Sequence, residues 1–246
     1  MLARLKPALR PFRLYRAARF GWHFATDPVF RRDHVLLWRR PKNLFQHRSI
    51  TLPDRYPVIF DFVQRQLGAS ADLRLLSFGC AMGDEVFSLR GLFPRAAIKG
   101  IDINPANIAA ARARQRAAGA ASDSSIVFEC GGTVAAEPSA HYDAVFCMAV
   151  FVRWQIKTDP NVKTCAPHLR FADYEAAVTD LARTVRPGGL LVLRYSMFRF
   201  ADTAIAREFR PVLSVPMLAT LFTPRFDRHD LRVPDETSEQ AVFQKN

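Results

Sequence analysis

The sequence predicts an α/β fold built on a parallel sheet, and three observations carry that prediction. Short apolar runs of strand length recur near 73–78, 98–102, 126–129, 143–148 and 190–195, with helix-compatible stretches between them. Gly79 and Gly83 follow the first run at once, and a segment of helical character follows them from Asp84 to Phe93. The second run, Ile98-Lys99-Gly100-Ile101, ends on Asp102. Alternating strand and helix units imply a parallel sheet whose ligands bind at the carboxyl ends of the strands.

Taken in order, the elements begin with a basic leader at residues 1–48, helical from about Phe12, with Pro7 and Pro11 breaking any helix that started at Met1. Thr51-Leu52-Pro53-Asp54 reads as a helix start. Val58, Ile59, Phe62 and Val63 keep helical spacing as far as the stop signal at Gly68. Pro105–Ala118 is an Ala- and Arg-rich helix with Ile108, Ala111 and Gln115 on one side. The connection from Val152 to Phe171, with Trp154, Pro160 and Pro167, is long enough to suggest a functional loop. Phe171–Arg186 returns to helical spacing on Tyr174, Val178, Leu181 and Val185. Beyond Ser196 the pattern weakens, with a strand at Arg210–Val215 and a last one at Gln240–Gln244, antiparallel near the sheet edge.

Glycines let the backbone turn tightly against a ligand, and a carboxylate at the end of the next strand can hold a ribose diol. Together they describe a nucleoside site. A dinucleotide turn needs three glycines so that a pyrophosphate can sit on the helix N-terminus. Here Ala81 takes the middle place, and Asp84 and Glu85 occupy the helix start. Two carboxylates there repel a pyrophosphate and suit a cation. S-adenosylmethionine, with a sulfonium, an ammonium and no phosphate, fits that charge pattern better than NAD.

Ser77-Phe78-Gly79-Cys80-Ala81-Met82-Gly83-Asp84-Glu85 resembles the glycine motif of class I S-adenosylmethionine-dependent methyltransferases. Its GCxxGxE form is most similar to the chemotaxis-receptor methyltransferases. His141–Phe151 resembles the fourth strand of the superfamily. Arg183–Leu193, with Pro187-Gly188-Gly189, resembles its helix end, turn and fifth strand. The resemblance covers roughly residues 70–200. Ser77 stands where many members carry an acid, and the third strand runs into Gly131-Gly132-Thr133 instead of an acid.

The resemblance implies a Rossmann-like class I methyltransferase fold: a seven-stranded, mostly parallel sheet with helices on both faces, here with a basic N-terminal helical extension. It places residues 1–48 in that extension and 49–246 in the methyltransferase domain. The implied cofactor is S-adenosyl-L-methionine. Asp102 is assigned to the ribose hydroxyls, and Gly79, Cys80 and Gly83 to the loop under the methionine portion, where a side chain at Gly79 would meet the cofactor. Glu85 is assigned to the cofactor's positive end or, alternatively, to a simple helix N-terminal charge. Ile103, Gly131 and Thr133 go to the adenine, with Cys147 and Met148 as the floor. Phe151, Arg153 and Trp154 follow the fourth strand as acceptor contacts. His168 and Tyr195 are the candidate proton acceptors, and His141 is read as structural. Methyl transfer is an in-line displacement that rests on alignment more than on acid–base groups, so a catalytic residue is not evident.

Hydrophobic content of 49% with 24% charged residues is that of a soluble globular protein, and no apolar run approaches the length needed to cross a bilayer. Cys80, Cys130, Cys147 and Cys165 form no CxxC pair, so neither a disulfide framework nor a metal is expected. The formal charge of +12 is concentrated before Ser49, where twelve Arg and Lys face only Asp27 and Asp33. That leader lacks the serines of a mitochondrial presequence and the apolar stretch of a secretory signal. Its interleaved aromatics suit a lid on the sheet domain, an anionic membrane surface or acidic partner, or, ranked last, nucleic acid. The expected protein is a cytoplasmic methyltransferase, with peripheral membrane contact as an option, acting on an unidentified O- or N-nucleophile of a small or acidic acceptor. Two alternatives stand beside it: a noncatalytic S-adenosylmethionine-binding module, and a nucleic-acid or membrane-surface binding protein using the leader.

Overall fold

Strand β1 (Arg74–Phe78) is the apolar run that precedes the glycine turn. It lies at the middle of the sheet, paired in parallel with β2 (Ala97–Asp102) on one side and β4 (Tyr142–Met148) on the other. The computed structural model describes residues 13–39, 41–49, 55–68, 73–118, 124–157, 161–217 and 223–246. β3 (Ile126–Cys130) extends the parallel set beyond β2, and β5 (Val185–Arg194) extends it beyond β4. β7 (Ser238–Lys245) then pairs antiparallel with both β5 and β6 (Phe209–Pro216). The seven strands stand in the order β3-β2-β1-β4-β5-β7-β6, the class I methyltransferase topology.

Burial explains why these runs are strands. Every residue of β4 is buried, as expected of a central strand covered on both faces. On one face Leu75, Ile98, Ala144 and Val192 pack with helices α3 (Pro57–Leu67), α4 (Asp84–Leu92) and α5 (Pro105–Ala117). On the other, Leu76, Val145, Leu191 and Phe243 pack with Tyr174, Val178 and Leu181 of the helix Phe171–Thr184. That helix is α7, after the short α6 (Trp154–Lys157). The Pro-Gly-Gly sequence lies inside β5 instead of preceding it, and two 3-10 turns, Phe200–Asp202 and Ala204–Glu208, bridge β5 and β6.

Compact units divide at Arg40/Pro41. The first holds α1 (Arg13–Thr26) and α2 (Pro28–Arg39), whose aromatic rings pair with one another: Phe20 on Phe30 at 5.4 Å and on His34 at 5.0 Å, and Phe24 on Trp38 at 5.3 Å. Asp27 caps α2 by accepting from the backbone N–H of Val29 and of Phe30. Residues 41–48, assigned from sequence to the extension, pack with the sheet unit: Phe45 sits on Phe151 at 5.0 Å. The helix start read at 51–54, the leader before Arg13, and Pro160 lie outside the described residues. Among those described, no helix is long and apolar enough to cross a membrane.

Candidate active site

The glycine turn is shaped by two residues that only glycine replaces without strain. Gly79 and Gly83 have φ of +79° and +88°, the left-handed region that a Cβ disfavours. A Cβ at Gly79 would fall well inside van der Waals contact with Val150 Cγ2. The sequence expectation placed that conflict with the cofactor. In the structure the chain itself fills the space, because the segment after β4 crosses over the turn. At Gly83 the neighbour is Phe128 Cζ, 2.9 Å from the place of the missing Cβ. Gly79→Ala is therefore expected to destabilise by about 1–3 kcal/mol through positive φ and crowding. In urea unfolding, Val150→Ala should recover only the crowding part of that loss.

Asp102 closes β2 and is 8% exposed. Oδ2 accepts from Ala81 N–H at 2.8 Å; Oδ1 accepts from Asn104 N–H at 2.8 Å and Asn107 Nδ2 at 3.1 Å. A carboxylate offers about four lone-pair sites. Three are thus taken by the chain's own donors, leaving room for one hydroxyl where the sequence expectation assigned two. Burial pushes the Asp102 carboxyl up, and the three donors oppose that. Beside it, two buried polar atoms lack partners: Asn104 Nδ2, a donor, and Asn107 Oδ1, an acceptor. Together with the remaining Oδ2 lone pair they make a donor-and-acceptor cluster suited to a diol. Sequence reasoning missed both asparagines; Asn104 also caps α5 by accepting from Ala106 N–H.

The two acids at the start of α4 have parted roles. Asp84 is buried and ion-paired with Arg114 of α5. Glu85 turns back to the sheet and accepts from Ser77 Oγ at 2.7 Å. Its carboxylate thereby lies against the position where many class I enzymes carry the acid that this chain lacks. Glu85 is half-buried, and desolvation by the surrounding protein raises it from the ordinary 4.5 to about 7, against the lowering effects of Ser77 and Arg55. A carboxyl so raised is short of positive charge, and a cationic ligand would supply it.

Ile103 and Gly132 pack together at the ends of β2 and β3: a Cβ on Gly132 would lie 2.9 Å from Ile103 Cδ1 and 3.2 Å from Lys42 O. Gly131 N–H donates to Asp102 O at 3.0 Å. Thr133 is exposed, donates to Asp180 at 3.2 Å and borders a cavity of about 200 Å³ with Gly132, Phe78 and Asn43. Cys80, Cys147 and Met148 are buried, and burial drives both thiols well above their usual range, which makes them apolar wall and not nucleophiles.

The acceptor candidates fare differently. Phe151 is 1% exposed, enclosed by Phe45 and Tyr174, so it is a core ring and offers almost no surface to an acceptor. Arg153 donates to the carbonyls of His168 and Leu44 and so ties 41–48 to the long loop. Phe151 corrects the sequence expectation, which could not see the strap 41–48 folding onto it, whereas Arg153 keeps part of its surface exposed. The side chain of Trp154 lies outside the described residues. His168 is exposed, and its carbonyl rather than its ring is engaged by Arg153. Tyr195 is buried at the end of β5 with φ +52°, its ring 5.9 Å from Tyr56 and under the Arg194 guanidinium at 4.3 Å. His141 precedes β4, at the strand's amino end, and donates its backbone N–H to Thr184 O at 2.8 Å, a structural position.

A buried ion-pair network follows β5. Glu239 accepts from Arg194 at 2.5 Å and pairs with Arg225 at 2.7 Å. It borders a cavity of about 680 Å³ walled by Phe198, Phe200 and Phe243 and edged by Arg225, Glu236 and Thr237. Among the described residues no His, Cys, Asp and Glu cluster could hold a metal.

Residues 76–191 match the family model described as a methyltransferase domain. That match, over slightly less than half of the chain, supports the class I S-adenosylmethionine-dependent methyltransferase fold. S-adenosylmethionine is the cofactor of that class, and the Asp102 cluster, the glycine turn and Glu85 fit its diol and its positive end. Solved structures with similar folds include a StiE O-methyltransferase segment (16% identity, 65% of this chain and 54% of that one, TM-score 0.47). Another is the amino-pentose methyltransferase CalS10 of Micromonospora echinaspora (23%, 65% and 54%, 0.39). A third is the [4+2]-cyclase SpnF (20%, 55% and 43%, 0.41). The chain spans about half the length of these structures. No curated protein matches it.

Proposed function

We propose that this protein transfers the methyl group of S-adenosylmethionine to an O- or N-nucleophile of a small, polar acceptor. The observation that carries the reading is the pairing of two unlike carboxylates on either side of the Gly79–Gly83 turn. Asp102, with Asn104 and Asn107, offers the donors and acceptors that suit a neutral diol, and the Glu85 carboxylate suits a cation. When bound, the cofactor supplies an activated methyl group. The chain's part is to hold that donor, align the acceptor and exclude water, a contribution that reaches about 7–11 kcal/mol of barrier when alignment is good. No general base is assigned.

The cavity of about 680 Å³ beside Ser196, just past β5, is our candidate acceptor pocket. Its size lies within the range of small-molecule sites. Its lining sets Arg199 and Arg225 against Asp202, Asp235, Glu236 and Glu239, so it holds no surplus positive charge. That favours a neutral acceptor with hydroxyl or amide groups over an acidic one. Thr237 lines the cavity and is exposed. Thr237→Trp is expected to raise the acceptor KM about tenfold or more while cofactor affinity, read by calorimetry, stays unchanged. The acceptor is sought by incubating the protein with labelled S-adenosylmethionine and a metabolite extract. Transfer of label to a small molecule supports the reading. Cofactor binding without transfer to any acceptor favours a noncatalytic module.

Glu85 gives the reading a pH signature. Its carboxyl is raised to about 7, so below that pH the free protein holds a proton that a cationic cofactor must displace. Affinity for S-adenosylmethionine should therefore climb as pH rises toward 7, by up to about tenfold per unit, and level off above it. In the free protein the sign is opposite: this group's contribution to stability is present below the unfolded value near 4.5 and is lost as pH rises through about 7. Glu85→Gln should flatten both dependences. A binding curve that keeps its slope in the variant returns Glu85 to the role of a helix N-terminal charge.

A further inference from the structure

Helix α1 (Arg13–Thr26) turns an apolar stripe outward, the reverse of a helix that builds a core. Leu14 is 86% exposed and Trp22 69%, and Ala17, Ala18, Gly21 and Ala25 are exposed with them. These six positions follow the i, i+3, i+4, i+7, i+8, i+11 spacing of one helical face. The opposite side is already satisfied: Phe20 and Phe24 pack on Phe30, His34 and Trp38 of α2. Trp38 leaves 63% of its own surface exposed.

The charge around the stripe has one sign. Arg16, Arg19, Arg31 and Arg39 are exposed, whereas both acids of the hairpin are engaged in the fold. Asp27 caps α2 through Val29 and Phe30, and Asp33 is buried. An outward apolar face with tryptophan, bordered by arginines and carrying no free acid, has the pattern of an interfacial helix. Lipid tails gain from covering Leu14 and Trp22, and anionic headgroups gain from the guanidinium groups. A phosphate backbone would use the arginines and leave the apolar stripe in water.

We propose that the α1–α2 hairpin docks on an anionic lipid bilayer, with α1 lying in the plane of the interface. Leu14 and Trp22 enter the acyl boundary, and the arginines reach the headgroup phosphates. This inference does not depend on the methyl-transfer reading.

The test is co-sedimentation of the full-length protein with phosphatidylcholine vesicles prepared with and without phosphatidylglycerol. The protein should bind the anionic vesicles, with a blue shift of tryptophan fluorescence, and bind neutral ones at least about tenfold more weakly. The double variant Leu14→Asp/Trp22→Asp retains every arginine and alters only exposed positions. It should lose about tenfold or more in anionic-vesicle affinity while circular dichroism stays unchanged. Arg16→Glu/Arg19→Glu should lose binding to a similar extent and lose its salt dependence in part. Absence of binding to anionic vesicles overturns the proposal, as does full retention by the Leu14/Trp22 variant. Salt-sensitive binding to an oligonucleotide duplex, abolished by the arginine variant and untouched by the apolar one, with no vesicle binding, would assign the hairpin to nucleic acid instead.

Discussion

Replacing Glu239 by alanine is expected to lower the free energy of unfolding by about 3–5 kcal/mol. The side chains of Arg194, Arg225 and Glu239 are all almost wholly buried, and the one carboxylate balances two guanidinium groups. Glu239 also accepts from the backbone N–H of Tyr195 at 3.1 Å and of Ser196 at 3.4 Å. Its loss leaves buried Arg194 without its counter-charge, Arg225 with only the longer pair to Glu236 at 3.6 Å, and two N–H groups without acceptors. Glu239→Gln restores size and one acceptor but not the charge, so it should recover no more than about 1 kcal/mol. Urea unfolding of both variants measures this, with unchanged m-values marking a pure stability effect. Replacing all three residues with apolar ones should not restore stability in full. Arg225 also donates to Ser196 O and Phe198 O, and Arg194 to Pro216 O, and those carbonyls would then be orphaned. A Glu239→Ala protein as stable as the parent would mean that the network is open to water.

Asp102→Ala carries the second large effect, and it acts on stability and on binding together. The substitution strands Ala81 N–H, Asn104 N–H and Asn107 Nδ2, of which Asn107 retains Ser49 Oγ at 2.9 Å. Each buried donor left unpaired costs about 1–3 kcal/mol, so a loss of about 3 kcal/mol is expected in the melting curve. A charged hydrogen bond to the ribose contributes about 1.5–3 kcal/mol, which makes cofactor affinity ten- to hundredfold weaker. Asp102→Asn keeps one acceptor oxygen and turns an amide donor toward other donors, so it should fall between the two in both measurements. If the variants melt early yet bind S-adenosylmethionine normally while folded, Asp102 serves only to pin the glycine turn to β2.

The sheet was legible because strand and helix periods differ and because glycine, proline and acid punctuate them at fixed points. Leu75, Leu76, Ala144 and Val145 lie in the core where the apolar runs put them. The run at 210–215 and the last strand were weaker signals, since edge strands such as β6 alternate buried and exposed positions irregularly. What escaped the sequence is long-range. Phe45 meets Phe151, and Arg153 reaches Leu44, across about a hundred positions, and no local pattern announces such contacts. Asn104 and Asn107 looked like an ordinary helix start; their unpartnered amide atoms appear only once Asp102 is seen to be shared. Arg194 and Glu239 belong to strands whose composition gives no sign that two charges are buried together. The outward stripe of α1 reads in sequence as a face that should be covered, and only its exposure distinguishes a docking face from a core face.

The most direct test of a donor site at the ends of β1 and β2 is calorimetric titration of the full-length protein with S-adenosylmethionine and, separately, with NAD, at a pH above 7. The site described here predicts saturable S-adenosylmethionine binding at one per chain, weakened in Asp102→Ala and Glu85→Gln, with no heat from NAD. Binding of NAD in place of S-adenosylmethionine, or S-adenosylmethionine affinity indifferent to both substitutions, would contradict it.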